Sequence, residues 1–277
     1  MEQTVLYSEI FKSIQGEGHY TGVPTAWLRF FGCNLECNGF GQNDPTDPST
    51  YELPFEKISL TDITQVEELP VFKYGCDSSY SWSKKFAHLQ HKETPEEVAD
   101  RLDDLLKANW HLAFTGGEPL LRAAQKNMVK ILNRIPKQNY ITIETNGTQI
   151  IREELETYIS HYPHKEFFFS ISPKIFNTSG EKDAVKPEVV KQYHDLSRHG
   201  QLKFVCNGTD ESWEEIENAI QSFRDVGVRY PIWIMPVGAL EETQQENAAM
   251  IAEQTMDRGY NVSARVHCYI WGNQIGT

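Results

Sequence analysis

Residues 94–115 read TPEEVADRLDDLLKANWHLAFT, which predicts an amphipathic helix followed by a short buried strand. Thr94 is a suitable helix cap, and Pro95 suits the first turn. The acids Glu96 and Glu97 favour the positive end of the helix dipole. One face of the predicted helix is apolar and consists of Val98, Leu102, Leu105 and Leu106. The apolar run HLAFT (111–115) then has the length of a strand that is covered on both faces.

Similar strands and helices alternate along most of the chain. The candidate strands are TAWLRFF (25–31), HLAFT (111–115), YITIET (140–145), EFFFSIS (166–172), LKFVC (202–206), PIWIM (231–235) and VSARVH (262–267). Helical apolar spacing lies between several of them, at Met128, Ile131, Leu132 and Ile135, and at Ile216, Ile220 and Phe223. This alternation predicts an α/β fold with a mainly parallel sheet, of the TIM-type β/α barrel or open-barrel kind. A doubly wound open sheet is the alternative, because strand order cannot be read from the sequence.

Residues 38–75 interrupt the alternation. The segment contains four prolines and many acids but no sustained hydrophobic period. It therefore predicts an inserted excursion from a single domain that covers residues 1–277.

The composition and charge of the chain disfavour some classes of function. The formal net charge is −13 and no Lys/Arg-rich run is present, which disfavours a surface that grips nucleic acid. No apolar run approaches the ~20 residues of a membrane span, and no secretory leader pattern is present. We therefore expect a cytoplasmic protein that acts on a small molecule and binds neither nucleic acid nor membrane.

Polar and glycine-rich segments follow five predicted strands. They are TGGEP (115–119), ETNGT (144–148), SISPK (170–174), KFVCNG (203–208) and MPVG (235–238). The ends of parallel strands meet at one rim, so these segments are expected to line a common pocket. Gly116 and Gly117 would let a ligand approach the backbone, where free amides meet a carboxylate, and Glu118 would accept from an ammonium group. Together they suit the two charged ends of an amino acid.

Three of the five cysteines are candidates for ligating a metal. Cys33 and Cys37 follow the first predicted strand, and 38 residues separate Cys37 from Cys76. If the excursion leaves and returns at one point, the three thiolates converge and can hold a [4Fe–4S] cluster with one open iron. The alternative is a Cys3His zinc site completed by His88 or His91, although the C-x2-C spacing that zinc favours is absent.

Several motifs in the sequence resemble those of a large superfamily and of one family within it. Cys33-x3-Cys37, TGGEP and ETNGT resemble radical S-adenosylmethionine (SAM) enzymes, whose usual motif is C-x3-C-x2-C. Phe40 occupies the third cysteine position, so Cys76 looks like the displaced ligand. YSEIFKSIQGEGHYTGVPTAWLRFFGCNLEC (7–37) and CDSSYSW (76–82) resemble the 7-carboxy-7-deazaguanine synthase family. The resemblance implies an incomplete TIM-type barrel with an insertion, residues 38–75, in the cluster-binding loop.

The resemblance also implies roles for individual residues. The cluster would bind to Cys33, Cys37 and Cys76. SAM would contact Gly116, Gly117, Glu118, Asn146, Ser172, Pro173, Lys174 and Lys203. The substrate would contact Ile14, Gln15, Gly16, Glu17, Arg29 and Thr115. Ser78 stands where the family has a threonine ligand for Mg²⁺, and it keeps the hydroxyl that a hard cation needs. Arg29 has a physical rationale as well, because a guanidinium grips a carboxylate through two hydrogen bonds.

The implied reaction converts 6-carboxy-5,6,7,8-tetrahydropterin to 7-carboxy-7-deazaguanine with loss of ammonia. Its cofactors would be a [4Fe–4S] cluster, SAM and Mg²⁺. The implied partners are the pterin substrate, an electron donor such as flavodoxin or ferredoxin, and a second copy of the chain in a homodimer. The alternatives are a glycyl-radical activating enzyme, which needs a protein-docking groove, and a zinc-stabilised binding module without catalysis.

Overall fold

A computed structural model describes residues 4–277, in which one nine-stranded sheet forms the centre. Its strands are β1 (Val5–Ile14), β2 (Pro24–Phe30), β3 (His91–Glu93), β4 (His111–Gly116), β5 (Tyr140–Thr145), β6 (Glu166–Ile171), β7 (Gly200–Cys206), β8 (Ile232–Pro236) and β9 (Asn261–Val262). The helices are α1 (Pro54–Lys57), α2 (Pro95–Leu105), α3 (Arg122–Arg134), α4 (Glu153–His161), α5 (Phe176–Ser179), α6 (Pro187–Leu196), α7 (Asp210–Asp225), α8 (Glu241–Asp257) and α9 (Val266–Trp271). Short 3-10 turns cover Gly18–Tyr20, Pro48–Thr50, Val66–Glu68, Ser79–Ser81 and Lys84–Leu89.

The strand order decides between the two predicted architectures. The sheet runs β3-β1-β2-β4-β5-β6-β7-β8-β9, and all neighbours from β2 to β9 are parallel. A doubly wound sheet reverses direction at a switch point, whereas here each new parallel strand is added on the same side. Within residues 4–277 the edge strands β3 and β9 do not pair, so the barrel is open. The expected incomplete β/α barrel is confirmed.

The helix predicted after Thr94 is confirmed over Pro95–Leu105, and Leu106 lies just beyond its end. The Thr94 hydroxyl accepts from the amide of Glu97, whose carboxylate accepts from the Thr94 amide, so the two residues form a capping box at the start of α2. Val98 and Leu102 are fully buried against the sheet. The helix therefore begins where its polar residues satisfy the first free amides, and its apolar stripe holds it on the core.

Two sheet regions differ from the sequence prediction. The long strand β1 was not predicted, and it pairs antiparallel with both β2 and β3. The predicted strand over residues 262–267 is wrong beyond Val262, because the chain turns and enters α9. The hydrogen bonds explain this turn: Val266 donates its amide to the carbonyl of Gly16, and the Ser263 hydroxyl accepts from the amide of Gly18. The C-terminal segment is thereby joined to the loop after β1.

Residues 38–75 contribute to a small apolar cluster that is separate from the main core. Its buried members are Phe55, Val66, Leu69, Phe72, Tyr80, Phe86 and Leu89. The last three lie beyond Cys76, so the excursion is anchored to the 3-10 turns that follow it. The excursion closes at its base, where the amide of Gly75 donates to the carbonyl of Phe40 at 2.8 Å.

No helix within residues 4–277 combines the length and the apolar character that crossing a bilayer requires.

Candidate functional site

A cavity of about 280 Å³ opens at the carboxyl ends of the parallel strands. All five predicted strand-end segments contribute to its wall, through Thr115, Glu144, Ser172, Lys203 and Met235 among others. The loop after β1, the cysteine loop, the base of the excursion and the C-terminal segment complete the wall. The predicted convergence of strand ends is therefore a feature of the structure.

The three candidate cysteines all line this cavity. Cys33, Cys37 and Cys76 are free thiols. Cys76 is brought to the cavity by the closure between Gly75 and Phe40 at the base of the excursion. The neighbouring segments are also joined, because the amide of Gly32 donates to the carbonyl of Ser81 at 2.7 Å. The excursion therefore returns the chain to the loop from which it left.

The backbone at Cys37 adopts an unusual conformation. Its φ of 53° lies in the left-handed region, which is uncommon for a residue other than glycine. A single carboxylate oxygen of Glu181 accepts from the amides of Glu36 and Cys37, at 2.7 and 2.6 Å. Next to it, the carbonyl of Ser179 accepts from the amide of Gly39 at 2.9 Å. The segment after α5 thus fixes the loop that carries the second cysteine.

The chemistry of the three thiols fits an iron–sulfur cluster. Burial raises the pKa of the Cys33 thiol to about 12, and burial likewise raises the pKa values of Cys37 and Cys76. Thiols in such surroundings ionise when a metal binds them. The ammonium of Lys174 acts on all three and favours their thiolate forms.

The arrangement does not match a single-ion zinc site. Among residues 4–277, no three His, Cys, Asp or Glu side chains form a group suited to one metal ion. The thiolates of a [4Fe–4S] cluster bind three different irons and need not meet at one point. Of the two proposed histidine ligands, His88 is exposed and His91 stacks on the ring of Tyr7. The zinc alternative therefore lacks an assembled ligand set.

The glycine pair at the end of β4 lines the cavity and also allows a close contact within the protein. Gly116 and Gly117 do line the cavity, but the amides of Gly117 and Glu118 already donate to the carbonyls of Phe30 and Gly32. A side chain on Gly117 would lie 2.2 Å from the Gly32 carbonyl oxygen. The glycines therefore allow two loops of the protein to approach each other. Of the two glycine amides that were expected to be free, that of Gly117 already has an acceptor.

The predicted role of the Glu118 side chain needs the same correction. Its carboxylate is fully buried and accepts from the Leu120 amide, the Thr145 hydroxyl and the Asn146 amide at 2.8–2.9 Å. Burial raises the pKa of Glu118 to about 7, against the lowering effect of these hydrogen bonds. The side chain ties β4 to the end of β5 and does not line the cavity. Pro173 is also outside the lining, unlike its neighbours Ser172 and Lys174.

Asn146, Ser172 and Lys174 stand together near the cysteine loop. Asn146 donates to the side-chain oxygen of Asn34 at 3.2 Å. Lys174 donates to the Ser172 hydroxyl at 2.9 Å, and its ammonium lies 5.5 Å from the centre of the Phe40 ring. Phe40 occupies the position of the missing motif cysteine and instead packs beside this cation.

The predicted substrate residues after β1 form a second wall. Ile14, Gln15, Gly16 and Glu17 all line the cavity, as does Thr115 on β4. Gln15 donates to Glu144 at 3.0 Å, and its own oxygen accepts from the amide of Glu17. Lys203 forms an ion pair with Glu17, so this lysine faces the wall that these residues form.

Among the cavity residues that were not assigned a role from the sequence are Asp77, Glu144, Arg265 and His267. Arg265 contacts Glu17 at 2.8 Å and Asp77 at 2.6 Å. Burial alone would raise the pKa of Glu17, but the charges of Lys203 and Arg265 hold it well below its ordinary value. Burial lowers the pKa of His267 to about 4, with a further lowering by Arg265. The sequence signal was the RVH run (265–267), whose side chains come to this wall because α9 begins there.

Arg29 is held between two aromatic rings at the same wall. Its Nε donates to Glu9 at 2.5 Å, and its Nη1 lies 3.4 Å from the hydroxyl of Ser78. The rings of Phe11 and Tyr80 lie 6.0 and 5.8 Å from the guanidinium carbon. Ser78, the predicted Mg²⁺ ligand, also donates to the carboxylate of Asp77. The structure thus brings the predicted carboxylate-binding and magnesium-binding side chains into contact.

Comparison with protein families decides the superfamily. The Radical SAM superfamily model matches residues 74–253, which is more than half of the chain. The chain belongs to the radical SAM superfamily. Membership implies a [4Fe–4S] cluster and SAM as cofactors. The matched range includes Cys76 and the strand-end segments, whereas Cys33 and Cys37 precede it.

Individual radical SAM relatives resemble nearly the whole chain. A 7-carboxy-7-deazaguanine synthase from Pyrobaculum aerophilum is 25% identical over 97% of this chain and 95% of its own length. The protein of the same name from Rhodopirellula baltica is 25% identical over 100% of this chain and 90% of its own. The crystal structure of QueE from Escherichia coli matches with a TM-score of 0.56 and 17% identity, covering 95% of each chain. At that identity the structural likeness supports the fold.

Proposed function

We propose that this protein is a 7-carboxy-7-deazaguanine synthase, a radical SAM lyase that converts 6-carboxy-5,6,7,8-tetrahydropterin to 7-carboxy-7-deazaguanine and ammonia. The conversion is redox-neutral overall, because the loss of ammonia accounts for the whole change in composition. The observation that carries the proposal is that Gln15, Gly16 and Glu17 of the QGEG loop (15–18) face the same cavity as Arg29 and the three cysteines. The near full-length relatives of that name support it further.

Cys33, Cys37 and Cys76 would hold the [4Fe–4S] cluster. Gly116, Gly117, Asn146, Ser172, Lys174 and Lys203 would surround SAM. When bound and reduced, these cofactors would supply the radical chemistry that removes a hydrogen atom from the substrate. The side chains of the protein hold the reactants, orient them and exclude water from the cavity.

The substrate would lie against the wall formed by β1, β2 and the QGEG loop. Arg29 keeps Nη2 without an acceptor among residues 4–277, and its planar guanidinium suits the carboxylate of the pterin. Gln15, Glu17 and Thr115 offer polar contacts to the ring system, with the backbone of Ile14 and Gly16 beside them. Glu17 is held ionised by Lys203 and Arg265, which fixes its orientation before any ligand binds.

Mg²⁺ is part of the proposal. The Ser78 hydroxyl would supply one protein oxygen, and the substrate carboxylate and water would supply the rest, which is the usual way in which proteins bind this ion. The contact between Ser78 and Arg29 supports this assignment, because both would then meet the same carboxylate group. Ser78→Ala is expected to remove the dependence of turnover on Mg²⁺ concentration, whereas Ser78→Thr is expected to keep it.

The remaining expectations belong to the same proposal. Flavodoxin or ferredoxin would reduce the cluster, the protein would act in the cytoplasm as a homodimer, and residues 38–75 would be an insertion in a single domain over residues 1–277. Phe40, Gly41 and Gly75, at the base of the excursion, line the cavity near the three cysteines. The electron donor would therefore contact the excursion at this point.

An anaerobic assay tests the proposal directly. Reconstituted protein is given SAM, reductant, Mg²⁺ and 6-carboxytetrahydropterin, and 5′-deoxyadenosine and the deazapurine are followed by mass spectrometry. Both products are expected, and both should vanish with Cys76→Ala but persist with Cys206→Ala, which removes a buried thiol outside the cavity. Formation of 5′-deoxyadenosine without deazapurine would reject the substrate and redirect attention to a glycyl-radical activase.

A further inference from the structure

Glu9 is a buried carboxylate in the cavity wall that the roles above do not use. It lies directly opposite Arg29 in the register of β1 and β2, and its side chain is 1% exposed. Both neighbouring donors use one of its oxygens: Oε1 accepts from Arg29 Nε at 2.5 Å and from the Tyr80 hydroxyl at 2.7 Å. The other oxygen, Oε2, is buried and has no hydrogen-bond partner in the described chain.

Glu9 Oε2 is therefore a hydrogen-bond acceptor without a donor, and it lies beside the guanidinium of Arg29. A buried carboxylate oxygen without a donor is unfavourable, so a ligand that brings a donor to it is bound more strongly than one that does not. The Nη groups of Arg29 meanwhile suit a carboxylate. The pair is therefore complementary to a ligand in which a carboxylate and an N–H group are attached to the same carbon.

We infer that Glu9 is a specificity-determining residue that accepts the N5–H of a reduced 6-carboxypterin while Arg29 binds its carboxylate. This inference rests on the proposed function and deepens it. In 6-carboxytetrahydropterin, C6 carries the carboxylate and is bonded to N5–H, so one ligand presents both groups side by side to the adjacent Glu9 and Arg29 side chains. In the oxidised 6-carboxypterin, N5 carries only a lone pair, which the carboxylate of Glu9 repels. The wall therefore selects the tetrahydro form.

Glu9→Gln is a pointed test, because the orientation of its amide is dictated by the neighbours. The two donors, Arg29 Nε and the Tyr80 hydroxyl, require the amide oxygen at the position of Oε1. The amide NH2 then stands at the position of Oε2 and turns an acceptor into a donor. The variant is expected to favour the oxidised pterin, whose N5 accepts a hydrogen bond.

The affinities are measured by anaerobic calorimetry on the cluster-loaded protein without SAM, so that no turnover occurs. The wild type should bind 6-carboxytetrahydropterin at least about tenfold more tightly than 6-carboxypterin. Glu9→Gln should shift the ratio of the two Kd values by at least about tenfold towards the oxidised form. Tyr80→Phe removes one donor to Oε1 and leaves Oε2 an acceptor. It should weaken the binding of both pterins by a similar factor and leave the ratio of their Kd values unchanged.

Two results would overturn the inference and spare the proposed function. One is equal binding of both pterins by a wild type that makes the deazapurine; this measurement stands even if Glu9→Gln does not fold. The other is a folded, iron-loaded Glu9→Gln protein with an unchanged ratio, which would make Glu9 merely structural. A wild type that binds neither pterin and forms no deazapurine would reject the inference and the proposed function together.

Discussion

The amide of Gly75 donates a hydrogen bond to the carbonyl oxygen of Phe40 at 2.8 Å, and so closes the base of the excursion. Phe40 lies three residues after Cys37, and Gly75 immediately precedes Cys76. This single contact therefore sets the third cysteine near the site that a compact C-x3-C-x2-C loop would give it. The position of Cys76 therefore does not depend on how many residues lie between Phe40 and Gly75.

Replacing residues 41–74 by a two-residue link tests whether the position of Cys76 is independent of the length of the excursion. The Phe40–Gly75 hydrogen bond would then join residues i and i+3 of a β-turn, so the shortened loop can keep its closure. We expect the shortened protein to bind about four irons per chain, as the full chain does with a [4Fe–4S] cluster. Turnover should fall at least about tenfold, because the apolar cluster that includes Tyr80 loses Phe55 and Phe72, and the Tyr80 ring beside Arg29 is then less firmly held.

Iron content, measured after anaerobic reconstitution, and the rate of deazapurine formation are the two observables for this variant. Loss of iron binding would mean that the excursion itself shapes the cluster loop. Full turnover would mean that the apolar cluster around Tyr80 does not contribute to the substrate wall.

Glu181 is expected to stabilise the cluster loop without touching the cluster. Glu181→Ala removes the acceptor for the amides of Glu36 and Cys37, and the strained backbone at Cys37 can then relax. We predict lower iron occupancy and an altered electron paramagnetic resonance spectrum of the reduced cluster. Glu188→Ala, at an exposed glutamate on α6, is the control and should change neither. An unchanged spectrum in both variants would show that Glu181 does not shape the cysteine loop.

The sequence predicted features that depend on order along the chain. Strand ends such as Thr115 and Ser172 gather at one rim because every parallel strand points the same way, and a β/α alternation is enough to foresee it. The return of Cys76 followed from treating residues 38–75 as an excursion. Both inferences used chain connectivity alone, which a single sequence contains.

Features that depend on contacts between distant segments could not be predicted. The sequence does not reveal that Glu118 turns inward to three donors, because an acid after a glycine pair is equally suited to a ligand. It also does not reveal that Arg265 pairs with Glu17 across 248 residues. Such pairings depend on sheet register and on the turn into α9, and neither leaves a periodic signal in the chain.

Arg29→Lys is predicted to weaken substrate binding far more than catalysis. A lysine ammonium cannot keep the bond to Glu9 and also offer two parallel donors to a carboxylate. We expect KM for 6-carboxytetrahydropterin to rise at least about tenfold with a smaller change in kcat. Arg101→Lys, at an exposed arginine that pairs with Glu93, serves as the matched control. A drop in kcat at constant KM would show that Arg29 acts in the reaction and not in binding.

Glu17→Gln is predicted to destabilise the fold as well as the site. The change leaves the buried cations Lys203 and Arg265 without their shared carboxylate, and breaking a buried ion pair of this kind costs about 3 kcal/mol. Glu154→Gln, which breaks the exposed pair with Lys126, should cost under about 1 kcal/mol. Because the folded state lowers the pKa of Glu17, its contribution is fully present above the ordinary value of 4.5 and is lost as the pH falls below it. Urea unfolding of the wild type and both variants at pH 7 and at lower pH measures the free energy of unfolding. The difference in this free energy between the wild type and Glu17→Gln should shrink on acidification. A constant difference would contradict the ion-pair explanation.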